Sequence, residues 1–151
     1  MKAISSSTLE LKKKNTLRVN TERNRSIKKE YHIWAPLEKV WNALVNSKTI
    51  EKWGAGPAKM SANVKSKFSL WDGSIHGTNQ EVVPQKKLVQ EWYSEDDPKT
   101  ATKVTFSLTH KGGCTTLKLK HVGVSSKSYD SIDKGWDKYY LGEIKKLLEN
   151  N

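Results

Sequence analysis

Ser131-Ile132-Asp133-Lys134-Gly135-Trp136-Asp137-Lys138-Tyr139-Tyr140-Leu141-Gly142-Glu143-Ile144-Lys145-Lys146-Leu147-Leu148 is the stretch that decides the fold. Ile132, Trp136, Tyr140, Ile144 and Leu147/Leu148 recur at steps of three or four, which makes one apolar stripe on a helix of about five turns. Lys145 and Lys146 lie near its C-terminal end, where the helix dipole favours cations. Such a stripe has to be buried against a partner surface, and the chain before it is written in a different period.

Working back from that helix, Thr115, Leu117, Leu119 and His121 alternate after a Lys111-Gly112-Gly113 turn. Val104, Phe106, Leu108 and His110 alternate before it, so the two runs read as a hairpin. Leu88, Gln90 and Trp92 alternate up to the loop Glu95-Asp96-Asp97-Pro98, and Ile75 to Val83 precedes them across a Pro84-Gln85-Lys86 corner. Met60, Ala62 and Val64, then Phe68 and Leu70, also read in period two, with Asp72-Gly73 as a hairpin turn. Asn79 and Glu81 share a face in mid-strand, and buried there they would need partners or a ligand. At the front, Ile27, Tyr31, Ile33 and Ala35 fall on one face and Lys28, Glu30 and His32 on the other. Ala35-Pro36 breaks that strand. Leu37, Val40, Trp41 and Leu44 follow at helical spacing, and Ser47 caps a second short helix that Gly54 ends.

An antiparallel sheet must cover one apolar face, and only the terminal helix is long enough to do it. The expectation is an α+β fold: one curved antiparallel sheet of about six to seven strands, two short helices closing one end, and a long C-terminal helix gripped by the sheet. With 151 residues the chain suits one domain, here residues 23–151, preceded by a flexible basic arm at 1–22. Residues 1–29 hold nine Lys and Arg against Glu10 and Glu22, so +7 of the +11 net charge sits in this N-terminal stretch. An arm of that kind attracts acidic surfaces without sequence selectivity, and no specific nucleic-acid partner is expected. No stretch approaches the length of a membrane span. Met1 to Lys14 lacks the apolar run of a secretory signal, and Glu10 with no Arg before Arg18 argues against a transit peptide. Cys114 is the single cysteine, so no intrachain disulfide is possible and a reducing cytoplasm is expected.

No motif for chemistry emerges. His32, His76, His110 and His121 have no metal-ligand spacing, although His110 and His121 flank one hairpin. Gly54-Ala55-Gly56-Pro57 lacks the lysine and context of a phosphate loop, and Asp96-Asp97 reads as turn chemistry. Catalytic, cofactor and metal residues are therefore all expected to be none. The aromatics allow two readings, a filled core or the lining of a cavity between sheet and helix. For the second, Phe68, Leu70, Trp92, Phe106, Leu108, Leu117, Trp136 and Tyr140 are the candidate lining, and the ligand would be small and apolar.

From His32 to Leu148 the chain resembles a known family. Ala35-Pro36 with Val40-Trp41 and Leu44 is similar to the strand-to-helix opening of the START-like, or SRPBCC, helix-grip superfamily. Three further segments narrow this: Phe68-Ser69-Leu70-Trp71-Asp72-Gly73 with Gly77, then Val83 to Trp92, then the string Gly135, Trp136, Tyr139, Tyr140 and Ile144 with Lys145. Together they resemble the C-terminal domain of the activators of heat-shock protein 90 ATPase. The resemblance implies a helix-grip fold, a heat-shock protein 90-type chaperone as partner, stimulation of its ATPase by contact, and no active site. Two departures stand out. The founding activators carry a separate N-terminal domain, for which residues 1–30 are too short, and Tyr93 stands where a basic residue is expected.

Overall fold

The computed structural model describes residues 25–150. The arm at 1–22 lies outside the described residues. Strand β1 (Arg25–Ile33) leads into helix α1 (Leu37–Val45) and helix α2 (Ser47–Trp53). Strands β2 (Lys67–Leu70), β3 (Ile75–Val83), β4 (Lys87–Ser94), β5 (Asp97–Lys111) and β6 (Cys114–Val124) follow. One helical rod, α3, closes the chain as three runs, Tyr129–Gly135, Trp136–Leu141 and Gly142–Glu149. The sheet has six strands in the order β1-β6-β5-β4-β3-β2, every neighbouring pair antiparallel. The first strand thus sits beside the last, and α3 crosses the apolar face they share. This is the expected helix-grip architecture.

Alternation explains the register. Val104, Phe106 and Leu108 of β5 and Thr115, Leu117, Leu119 and His121 of β6 are all buried, while the residues between them face outward. His110 pairs with Thr115 and His121 with Val104, so the two histidines do not face each other. Helix α1 buries Val40, Trp41 and Leu44 against β5, β6 and the C-terminal part of α3. Asn46, not Ser47, caps α2: its Oδ1 accepts from the Thr49 amide at 3.0 Å. The Ser47 hydroxyl instead reaches Met60, accepting from its amide at 2.9 Å. Gly54, at φ +113°, ends α2 in the left-handed conformation that glycine adopts without strain.

Three further expectations are corrected. Residues 60–64 form a loop, preceded by a single bridge between Lys59 and Ser69 and held to β3 by the Asn79 side chain rather than by a ladder. Asp72-Gly73 belongs to a short 3-10 turn, Trp71–Gly73, rather than a two-residue hairpin. Asn79 and Glu81 do not share a face. The β3 ladder shifts register between them, leaving Asn79 buried and Glu81 exposed.

Helix α3 carries a built-in adjustment. In an ideal α-helix each step of four residues overshoots a full turn by about 40°, so Ile132, Trp136, Tyr140 and Ile144 would wind progressively off the sheet. The Trp136–Leu141 run is π-helical, with the Gly142 amide donating to the Asp137 carbonyl five residues back. Its wider turn takes up the drift, and Trp136, Tyr140 and Ile144 all remain buried. Gly142 makes this possible, since a Cβ there would overlap the Asp137 carbonyl oxygen.

Candidate functional site

The interior is built around Tyr140. Its ring centroid lies 4.6 Å from Trp53, 4.7 Å from Trp136 and 5.6 Å from Phe106, with Trp92 and Trp71 just beyond. Its hydroxyl is buried with no hydrogen-bond partner, and that burial pushes the phenol well above its ordinary pKa. Rings at such separations contribute favourable edge and offset contacts beyond their burial. The eight residues proposed to line a cavity, Phe68, Leu70, Trp92, Phe106, Leu108, Leu117, Trp136 and Tyr140, are all buried in this packing. Trp92 is the one of them that also borders an open space.

Two polar chains cross the interior, and the first starts at Trp92. Its Nε1–H donates to Gln90 Oε1 at 2.8 Å. Indole nitrogen can only donate, which fixes the orientation of the Gln90 amide. Gln90 Nε2 then donates to Asn79 Oδ1 at 2.9 Å, and Asn79 Nδ2 to the Ser61 and Asn63 carbonyls at 2.9 and 3.1 Å. Gln90 and Asn79 are buried, so this relay satisfies groups that would otherwise be costly, and it pins the 61–66 loop to the sheet.

The second chain runs through His121. Trp136 Nε1–H donates to His121 Nδ1 at 3.0 Å, so that nitrogen carries no proton. His121 Nε2 then holds the proton and donates to the Thr102 hydroxyl at 2.8 Å. Burial lowers the His121 pKa to about 4, and the imidazole is neutral at physiological pH. The helix is thereby bonded to the sheet at its aromatic centre. A further clamp ties α3 to the edge strand: Lys29 Nζ contacts Asp137 at 2.7 Å and Asp133 at 3.0 Å, and the Tyr31 hydroxyl donates to Asp137 at 2.6 Å. Burial alone would raise the Asp137 pKa, but the bonds from Lys29 and Tyr31 outweigh it and hold the carboxyl below its usual range.

A cavity of about 700 Å³ opens where the grip ends. Its walls are the β4–β5 tip, the end of β6 and the first turn of α3, and Trp92 and His121 form its base. The strand ladders fail at this place. Ser94 pairs with Asp97 but Trp92 pairs with Thr102, so four residues of β5, 98–101, stand opposite the single Tyr93 in a wide bulge. Pro98, which has no amide hydrogen for a ladder, lies in that excursion. On β6, Gly123 at φ +89° is an extra residue between the partners of Arg25 and Ser26, a bulge that re-aims the strand end.

Of the string Gly135, Trp136, Tyr139, Tyr140 and Ile144, three members point inward, while Tyr139 is 56% exposed. No group of three or more His, Cys, Asp or Glu placed to hold a metal occurs among the described residues. None of their helices is long and apolar enough to cross a membrane.

Comparison with known proteins places this geometry. The profile of the Activator of Hsp90 ATPase homolog 1-like protein family matches residues 34–149. The chain belongs to this family. Among curated members, the activator of 90 kDa heat shock protein ATPase homolog 1 of Homo sapiens is 26% identical over 122 residues, covering 80% of this chain and 36% of that protein. Homolog 2 of Mus musculus is 29% identical over 115 residues, covering 75% and 34%. The chain spans about a third of the length of these Hsp90 ATPase activator homologues. Among solved structures, an HSP90 activator from Plasmodium falciparum superposes with a TM-score of 0.74 at 28% identity, over 82% of this chain and 95% of that one. Protein MLL2253 from Mesorhizobium loti gives 0.73 at 26% identity, over 84% and 98%.

Proposed function

We propose that this domain is a co-chaperone module that binds a heat-shock protein 90-type chaperone through its folded surface and modestly raises its ATP turnover, with no reaction of its own. The observation that carries the reading is the family match over residues 34–149, which takes in both short helices, strands β2 to β6 and α3. The physical arrangement supports it. Tyr140 is buried with Trp53, Trp136 and Phe106 around it, so what the domain offers a large partner is its surface. That surface presents Trp34 at 65% exposure and Tyr139 at 56%, the residue type that most often anchors protein interfaces. The chain is also strongly basic, which steers an acidic partner and makes association salt-dependent.

Titration calorimetry against purified heat-shock protein 90 at two salt concentrations, run beside a coupled ATPase assay, tests the proposal. The expected result is measurable binding that weakens as salt rises, with a modest increase in turnover. Absence of binding at tens of micromolar would overturn it. Binding without stimulation would leave an adaptor and remove the activating role.

A further inference from the structure

The positive charge of the folded domain is unevenly placed. Residues 25–150 carry 21 Lys and Arg against 14 Asp and Glu, a balance of +7, and +4 of it falls within residues 46–70. That segment holds Lys48, Lys52, Lys59, Lys65 and Lys67, all exposed, against Glu51 alone. Glu51 is already engaged, its Oε2 accepting from the Ala58 amide at 3.1 Å. None of the five lysines shares in the ion pairs that join Lys29, Lys87, Lys118 and Lys145 to carboxylates. The fold gathers them along the margin where the sheet ends at β2. Lys48 and Lys52 stand one turn apart on α2, a spacing at which like charges destabilise a helix. The chain then returns to the sheet edge: Met60 bonds Ser47 beside Lys48, Lys59 bridges Ser69, and Lys67 opens β2.

Val64 lies among these cations at 53% exposure, with Ala62, Asn63 and Lys65 exposed beside it. One exposed valine by itself needs no explanation, but this one is carried on a fixed loop. The Lys65 amide donates to the Asn79 carbonyl at 2.7 Å, and the Asn79 amide to the Ser66 carbonyl at 2.9 Å. The Ser66 hydroxyl donates to the Asn63 carbonyl at 2.7 Å. Lys65 sits at φ +71°, in the left-handed region that is unfavourable for a residue with a Cβ. The backbone therefore holds an aliphatic side chain out in water between lysines.

Five uncompensated lysines call for an anionic partner, and Val64 decides its kind. A soluble polyanion has nowhere to bury an aliphatic group. A bilayer with anionic headgroups offers a surface charge to the lysines and, just beneath, acyl chains to the apex of the loop. We propose that the margin formed by α2, the 60–66 loop and β2 docks on an anionic lipid bilayer, with the lysines among the headgroups and Val64 inserted below them. The proposal does not rest on the chaperone reading, and its test uses no chaperone.

The full chain would be sedimented with phosphatidylserine–phosphatidylcholine vesicles and, in parallel, with phosphatidylcholine alone. Binding is expected to the first only, weakening as salt rises. Replacing Lys48→Gln and Lys52→Gln together should weaken it by about tenfold or more, since a lysine near an anionic surface contributes about fivefold. Lys12, Lys13 and Lys14 also attract anionic vesicles, so the decisive readings are at the apex. Val64→Ser keeps every charge and should still weaken binding by about fivefold, the worth of an aliphatic side chain partly withdrawn from water. In a Cys114→Ser background, a nitrobenzoxadiazole label on Val64→Cys should brighten and shift to the blue with the anionic vesicles. The same label on Thr109→Cys, on the outer face of β5, should not respond. Absence of sedimentation, an unresponsive label at position 64, or Val64→Ser binding as tightly as the wild type would each overturn the proposal. Retention on heparin through the same lysines without vesicle binding would assign the margin to a soluble polyanion and overturn it as well.

Discussion

Replacing Tyr140 by Phe should make this protein more stable, although the side chain is among the most buried in the molecule. Its hydroxyl gives up water on folding and gains no partner in return. Leaving such a group unsatisfied costs about 1–3 kcal/mol. Phenylalanine keeps the ring and hence the contacts with Trp53, Trp136 and Phe106. What it vacates is the volume of one oxygen, roughly 10–15 Å³, and at about 24 cal/mol per Å³ the resulting void costs only about 0.3 kcal/mol. The net expectation is a gain of about 1–2 kcal/mol. In a urea melt the midpoint should rise by about 0.5–1 M at unchanged slope, taking a slope near 2 kcal/mol per M. A midpoint that falls at unchanged slope would refute the reasoning, because it would mean that the hydroxyl is hydrogen-bonded in the folded protein.

Two further outcomes follow from the grip. Trp136→Ala should cost about 3–5 kcal/mol in denaturant melts, the range for deleting a large core aromatic, and a loss below about 1 kcal/mol would show that Trp136 is not an anchor. Stability should also fall on mild acidification. Unfolded His121 takes up a proton near its ordinary value of 6.5, the folded form only near 4, so through that window the unfolded state holds more protons. From about pH 7 to about pH 5 this amounts to roughly 2 kcal/mol. Urea melts of the wild type and His121→Asn across that range should differ in slope with pH, and parallel curves would contradict the assignment.

The strands that were legible in the sequence are those whose alternation is enforced by burial on one face. Val104 to Leu108 and Thr115 to His121 alternate because the helical layer covers one face, whereas in Leu88 to Trp92 the alternation is blurred by Val89, which is buried as well. The apparent strand at Met60, Ala62 and Val64 had the same period, but its backbone is committed elsewhere, to Ser47 and to the Asn79 amide. Those partners are distant in sequence and leave no local signal. Asn79 and Glu81 were placed on one face by counting, which a single register shift defeats. The aromatic centre was readable as a set of residues but not as an arrangement. Its closed packing and the orphaned Tyr140 hydroxyl depend on ring orientations that periodicity does not carry. The cavity at Trp92 had only faint markers, Pro98 within what became a strand and Gly123 near the end of another. The Lys29 and Tyr31 clamp on Asp137 was missed because a lysine on an inward strand face reads as noise until the helix opposite it is known.

The π turn between Trp136 and Leu141 also bears on which changes in length α3 can absorb. A ring closed over five residues holds one residue more than a ring closed over four, so the rod contains a spare residue stored at that point. Deleting one exposed member of the turn, Lys138 or Tyr139, would let the segment relax to ordinary α geometry with the buried residues on both sides near their present facing. Deleting a single residue elsewhere in α3 would rotate everything beyond it by about 100°, carrying Ile144 off the sheet or Ile132 away from the cavity wall. The middle of the terminal helix is thus its most forgiving point for a one-residue deletion, even though it is the most tightly packed.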